Sequence, residues 1–185
     1  MYNMKVAITG HTKGIGKSIH DFFESKGYEC LGFSRSNNFN IKSQETRDQI
    51  LTLSKDCDVF VNNAFVYNDN SQYKMLLGIW NLWLRNPEKI IVNISSTAAD
   101  QYGCIRYPHQ AYAKQKNTLD NFCERNIKGP WIINLKPGFV DTDLIKNTNI
   151  PTWPKMSVDV LPTILEFALS NKDRFMIRST TFQLF

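Results

Sequence analysis

Tyr112 and Lys116 stand four residues apart in the stretch AYAKQK (111–116). In a helix, residues at that spacing share one face, a turn apart. A phenol beside an ammonium is a candidate proton-transfer pair, because a free phenol has a pKa of about 10 and a neighbouring positive charge lowers it. The same spacing also occurs on exposed helices with no chemical role, so its meaning depends on the rest of the chain. A second cluster, TGHTKGIG (9–16), carries Gly10, Gly14 and Gly16. Glycines between a strand and a helix allow a tight turn and let the backbone approach an anion at the helix N-terminus. That cluster points to a phosphate-bearing ligand.

The elements that position these groups follow from the hydrophobic pattern. KVAIT (5–9), YECLGFS (28–34), DVFVN (58–62), KIIVNIS (89–95) and WIINL (131–135) read as strands, and RFMIR (174–178) as a last one. Between them lie GIGKSIHDFFESKG (14–27), SQETRDQILTLSK (43–55) with Ser43 as N-cap, QYKMLLGIWNLWLRN (72–86) and QAYAKQKNTLDNFCERN (110–126). These read as helices, and one more begins near Ser157. Continuous apolar strands alternating with helices predict an α/β fold, a doubly wound parallel sheet covered on both faces. The pattern shows no linker, repeat or low-complexity segment, so residues 1–185 read as one domain.

Bulk composition narrows the function classes. The hydrophobic fraction is 42% and the charged fraction 21%, ordinary values for a globular protein. No apolar run approaches the ~18–20 residues of a membrane span, and the opening MYNMKVAITG does not resemble a secretion signal. The four cysteines (Cys30, Cys57, Cys104, Cys123) and three histidines have no metal-ligand or disulfide spacing, so a reducing cytoplasm is the expected compartment and no metal is expected. A net charge of +5 with a pI near 9.0 suits an anionic ligand. Basic residues form no run of four, so neither nucleic acid nor membrane is an expected partner.

Taken in order along the chain, the motifs resemble those of the short-chain dehydrogenase/reductase family. The glycine loop has the spacing T-G-x-x-x-G-x-G. VNNAF (61–65) is similar to the family's N-N-A-G after the fourth strand, with Phe65 in place of glycine. VNISS (92–96) looks like the strand that carries the catalytic serine, Ser96. Tyr112 and Lys116 match Y-x-x-x-K, and KPGFVDT (136–142) is similar to P-G-x-x-x-T. The resemblance implies a Rossmann-like fold, with Ser96, Tyr112 and Lys116 catalytic. Gly10, Thr12, Lys13, Gly14, Ile15, Gly16, Ser34, Arg35, Asn63, Ala64, Pro137, Gly138, Val140 and Thr142, together with Tyr112 and Lys116, would bind the cofactor. In that chemistry Tyr112 protonates a carbonyl oxygen as hydride arrives from a nicotinamide, Lys116 lowers the tyrosine pKa and holds the cofactor ribose, and Ser96 donates to the substrate oxygen.

At the end of the second strand an NAD site usually carries an acidic residue. Ser34 and Arg35 stand there, with Lys13 in the glycine loop, and two cations with a hydroxyl suit the 2′-phosphate of NADP(H). The expected activity is an NADP(H)-dependent oxidoreductase that interconverts carbonyl and alcohol on a small molecule. The alternatives are a non-catalytic dinucleotide-binding sensor or subunit, and an epimerase or dehydratase acting on a sugar nucleotide.

Three departures from the family pattern stand out. One helix lies between NNA and NISS where two are usual, and the asparagine that region often supplies has no match, Asn81 being the nearest. That region also carries much of the family's oligomer interface, so a homo-oligomer is implied only through it. The segment 143–156 is a short lid, which implies an open site or one completed by another chain. The loop 97–110, with Tyr102, Arg106, Tyr107 and His109, is slightly long. It reads either as a pocket wall, with Arg106 receiving an acidic substrate, or as a solvated loop.

Overall fold

In the computed structural model, residues 4–146 and 153–184 are described. Among them six strands form one parallel sheet: β1 (Lys5–Thr9), β2 (Glu29–Phe33), β3 (Val59–Asn62), β4 (Ile90–Ile94), β5 (Trp131–Pro137) and β6 (Ser179–Phe182). Their spatial order is β2-β1-β3-β4-β5-β6. The helices are α1 (Gly14–Ser25), α2 (Gln44–Leu53), α3 (Ser71–Trp83), α4 (Gln110–Arg125), α5 (Asp143–Lys146) and α6 (Val160–Ser170). None is long and apolar enough to cross a membrane.

Strand alternation divides the core into two layers. Val6, Ile8, Val59, Val61 and Ile133 point to one face, where Ile19 and Phe23 of α1 and Leu161 and Leu165 of α6 cover them. Ala7, Phe60, Ile91 and Ile132 point to the other, against Ile50 of α2, Met75 and Trp83 of α3 and Leu119 of α4. Strands apolar on both faces are what a doubly covered parallel sheet requires. Trp83 and Trp131 are core residues. Ser43 caps α2 by accepting from the Thr46 N–H at 3.4 Å.

The structure departs from the sequence pattern in three places. The strand expected at 174–178 is displaced: the chain pairs with β5 through Ser179–Phe182, matching Asn134 to Ser179 and Pro137 to Phe182. Residues 174–178 instead turn out of α6, with the Arg174 and Phe175 amides donating to the Asn171 carbonyl and Met176 exposed. The apolar run was misleading because β6 is an edge strand with polar, alternately exposed residues. The last helix starts at Val160, three residues after Ser157. The N-N-A segment follows the third strand rather than a fourth, because residues 34–58 contribute α2 and no strand, which leaves β2 at the sheet edge.

A buried polar ladder crosses the sheet at one register level. Asn62, Asn93 and Asn134 are paired neighbours on β3, β4 and β5. Asn62 Nδ2 donates to Asn93 Oδ1 at 2.9 Å, and Asn93 Nδ2 to Asn134 Oδ1 at 2.7 Å. Asn134 Nδ2 then donates to Asp120 Oδ1 of α4 at 2.9 Å. The other Asp120 oxygen lies 2.9 Å from Lys136 Nζ, which also reaches Asp100 Oδ1 at 2.6 Å. Burial disfavours the Lys136 ammonium, yet the two carboxylates outweigh it and hold its pKa above the ordinary lysine value. An ionised carboxylate only accepts, so Asp120 sets the direction in which every amide of the ladder points. Replacing Asn93 with Leu strands the Asn134 acceptor and removes one acceptor from Asn62. A loss of about 2–3 kcal/mol in urea unfolding is expected, and unchanged stability would show that the ladder contributes nothing.

Candidate active site

The chain runs from β1 to β2 on one side and to β3 on the other, so the sheet reverses winding direction between β1 and β3. In open α/β sheets, ligands bind outside the carboxyl ends of the strands at such a point. The segments that follow β1, β3, β4 and β5 all meet there, and they contain the residues singled out from sequence.

The glycine loop is locked to the N-N-A segment. Thr9 Oγ1 accepts from the Asn63 and Ala64 amides at 3.0 and 3.1 Å and donates to the Val61 carbonyl. Asn63 Nδ2 donates to the carbonyls of Thr9 and Gly10 at 3.1 and 3.2 Å. A Cβ at Gly16 would lie 2.1 Å from the Gly10 oxygen, and Gly10 itself has φ +73°. Both glycines are therefore demanded by close backbone approach and conformation. A Cβ at Gly14 would meet Thr142 Cγ2 at 3.1 Å, which brings the glycine loop against the P-G-x-x-x-T segment. That segment is fixed at its base by the Gly138 amide bonding the Phe182 carbonyl at 2.8 Å, and along its length by a bridge from buried Val140 to Met156.

A pyrophosphate fits this cradle. Helix α1 begins after Lys13 without a side-chain cap and without an acidic residue in its first turn. Its leading amides and positive dipole end are thus available to an anion. Thr12, Lys13 and Arg35 are exposed around the loop, and Ile15 packs into the core. Among the described residues neither Lys13 nor Arg35 is ion-paired. Ser34 is buried and bonded to Ser36 and Asn37, which shapes the short 3-10 turn at Arg35–Asn37. His11 lies over Gly32, where a Cβ would come within 2.3 Å of its ring. Its neighbour His20 groups with Asp21 and Glu24 on the outer face of α1, although Asp21 is already bonded to Lys17.

Ser96, Tyr112 and Lys116 come together at the ends of β4 and α4. Ser96 leaves β4 and caps a short 3-10 turn (Thr97–Gln101) by accepting from the Ala98 amide at 3.2 Å. Its hydroxyl lies close enough to the Tyr112 phenol to draw that group's pKa down. Burial pushes the Tyr112 pKa up to about 12, with the Ser96 hydroxyl pulling it down and the nearby Tyr107 and Tyr67 phenols adding to the rise. Lys116 Nζ lies 5.7 Å from the centre of the Tyr112 ring and 4.9 Å from that of Phe65. Lys116 is 3% exposed, and burial drives its pKa down to about 7, with Asp120 opposing the fall. In this state the phenol keeps its proton at neutral pH, and the lysine is poised between ammonium and amine.

The departures from the family pattern now have a physical shape. Phe65 stands edge-on to Tyr112 with ring centres 5.2 Å apart, and Tyr67 lies parallel to Tyr112 at 6.4 Å. Gln115 of α4 holds their segment by donating to the Val66 and Asp69 carbonyls and accepting from the Asn68 amide. The loop 97–110 is organised by Gln110, which bonds the backbone of Gln101, Gly103, Cys104 and Tyr107. Tyr107 faces the site, whereas Arg106 and His109 are exposed. Asn81 is exposed on α3 and takes no part. The residue of α3 that touches the site is Gln72, nine positions earlier and about 13 Å away along the helix axis. Nothing in the local pattern marks it apart from an amide at the start of an apolar helix. Of the short lid, residues 147–152 lie outside the described residues, while Trp153 packs on Phe139 at 5.7 Å.

Comparison with protein-family models and with curated proteins finds no match. Solved structures do match over nearly the whole chain. The chain is similar to a 3-alpha-hydroxysteroid dehydrogenase from Pseudomonas sp. complexed with NADH, with a TM-score of 0.80 and 18% identity over 97% of this chain and 94% of that one. It is similar to a short chain dehydrogenase from Burkholderia cenocepacia in complex with NADP, at 0.75 and 14%, covering 97% and 88%. A short-chain dehydrogenase from Sphingobium yanoikuyae in complex with NADPH matches at 0.69 and 14%, covering 97% and 87%. The chain has the Rossmann-like fold of the short-chain dehydrogenases/reductases.

Proposed function

We propose that this chain, read as one domain, is an NADP(H)-dependent oxidoreductase of the short-chain dehydrogenase/reductase family that interconverts a carbonyl and an alcohol on a small molecule. The observation that carries the reading is the convergence of Ser96, Tyr112 and Lys116 at the sheet crevice whose opposite wall is an uncapped, glycine-lined helix N-terminus. Proteins that share the fold and were solved with NADH, NADP or NADPH support a nicotinamide dinucleotide. Exposed Lys13 and Arg35, with Ser34 between strand and turn, favour the 2′-phosphorylated form.

The bound dinucleotide would supply hydride to the carbonyl carbon, or accept it in the reverse direction. The amides of Gly14, Ile15 and Gly16 would hold its phosphates. Asn63, Ala64, Pro137, Gly138, Val140 and Thr142 would line the remainder. Ser96 donates to the substrate oxygen beside the Tyr112 phenol. Tyr112 holds a proton at neutral pH and delivers it to that oxygen as the C=O bond becomes an alcohol. Lys116 contributes an ammonium beside the phenol, and an anionic ligand nearby would favour its charged form. Phe65, Tyr67 and Tyr107 surround the phenol and limit the access of water.

Two measurements test this. Tyr112→Phe should lower carbonyl-dependent NADPH consumption, screened over aldehydes and ketones, by roughly 10²-fold or more, with NADPH affinity within a few-fold of wild type. Turnover that survives the change would contradict the role of Tyr112, and a chain that binds cofactor but reduces nothing before the change would be a sensor or subunit. Replacing Lys13 and Arg35 together by Ala should weaken NADPH binding at least roughly tenfold and leave NADH binding nearly unchanged. Equal effects on both cofactors would remove the 2′-phosphate assignment.

A further inference from the structure

Lys116 sits in a place that opposes its charged form, and what holds its Nζ is a glutamine. Its Nζ donates to Gln72 Oε1 at 3.0 Å and to the Ile94 carbonyl at 2.9 Å. Gln72 is itself 3% exposed, and its amide nitrogen donates to the carbonyls of Asn62 at 3.0 Å and Ile94 at 2.9 Å. The Gln72 backbone carbonyl accepts from Asn62 Nδ2 at 3.1 Å. With both amide hydrogens committed to β3 and β4, only Oε1 remains for Lys116. A flipped amide would aim N–H groups at an ammonium and take one donor away from each of two strand carbonyls. An ammonium has three N–H groups, and two are held here.

We propose that Gln72 is a positioning residue for Lys116: its amide, locked across the ends of β3 and β4, fixes where the ammonium sits beside Tyr112 and stabilises its charge. The catalytic value of this arrangement rests on the function proposed above, but the hold on Lys116 does not. The charged and titratable groups facing Lys116 come from its own helix: Tyr112 one turn before, and Asp120 one turn after, the latter shared with Lys136 of β5. The facing side chains of α3, β3 and β4 (Gln72, Asn62 and Asn93) are uncharged, so a substitution at Gln72 changes the electrostatics of Lys116 in a known direction.

Gln72→Met keeps length and removes the acceptor, so the ammonium loses support and titrates at lower pH. Gln72→Glu places a carboxylate at the same distance, so the ammonium persists to higher pH. The experiment is an NMR titration of the Lys116 ε-methylene in the full chain, with lysine carbon labelling and Lys116→Met for assignment, in variants first confirmed as folded by urea unfolding. The midpoint should fall by about one pH unit in Gln72→Met and rise by at least as much in Gln72→Glu. Identical midpoints in wild type and both folded variants would overturn the proposal. If one variant does not fold, the other carries the test alone. A parallel displacement of the basic limb of kcat/KM, down for Met and up for Glu, would tie the hold to turnover. Midpoints that move while the rate profile stays fixed would keep Gln72's hold on Lys116 and strike the catalytic reading instead.

Discussion

Everything at the crevice depends on a carboxylate that can only accept. Asp120, paired with Lys136, fixes the amide of Asn134, and the polarity passes through Asn93 to Asn62 across three strands. Asn62 then meets Gln72, and Gln72 meets Lys116, which lies one turn before Asp120 on the same helix. The ladder thus begins and ends on α4. It ties the helix that carries Tyr112 to the strand ends that carry the glycine loop's partners, at one register level of the sheet. Asn62 Oδ1 is buried without a hydrogen-bond partner, but the bonds that are made still enforce one arrangement. A helix free to slide or rotate on an apolar sheet face would not hold a phenol and an ammonium at fixed separation.

In the same crevice, short connections hold the grouped side chains in place. The lone helix between β3 and β4 places an amide directly against the lysine. The aromatic groups at 65 and 67, pinned by Gln115, cover the phenol from the side. Trp153 and Met156 hold the segment after β5 through Phe139 and Val140. Each contact uses a residue at a strand end or in the first turn of a helix, where backbone position is set by the sheet rather than by a long loop.

Much of this was legible in the sequence. The strand cores and helices α1 to α4 follow from apolar runs and periodicity, because burial on both sheet faces fills the middle of β1, most of β3 and the first half of β5 with apolar residues. The glycine loop was legible because Gly10 and Gly16 cannot be anything else: one has φ +73° and the other touches backbone. Tyr112 and Lys116 stand out by their four-residue spacing, whereas Ser96 is singled out only by its resemblance to a family pattern. β6 was missed because an edge strand of Ser and Thr carries no apolar signal, and its apolar neighbours drew the assignment upstream. Gln72 was missed for another reason. Its importance comes from three partners, at 62, 94 and 116, that only the fold brings together, whereas Asn81, the nearest asparagine to the family pattern, lies on the solvent side of the same helix.

The central claim is that this crevice holds a phosphorylated nicotinamide dinucleotide. Calorimetric titration of the full chain with NADPH, and in parallel with NADH, tests it without knowledge of the substrate. The account predicts saturable one-to-one binding of NADPH and clearly weaker binding of NADH. Failure to bind either would contradict it, and would leave the glycine cradle and the buried ladder as scaffold alone.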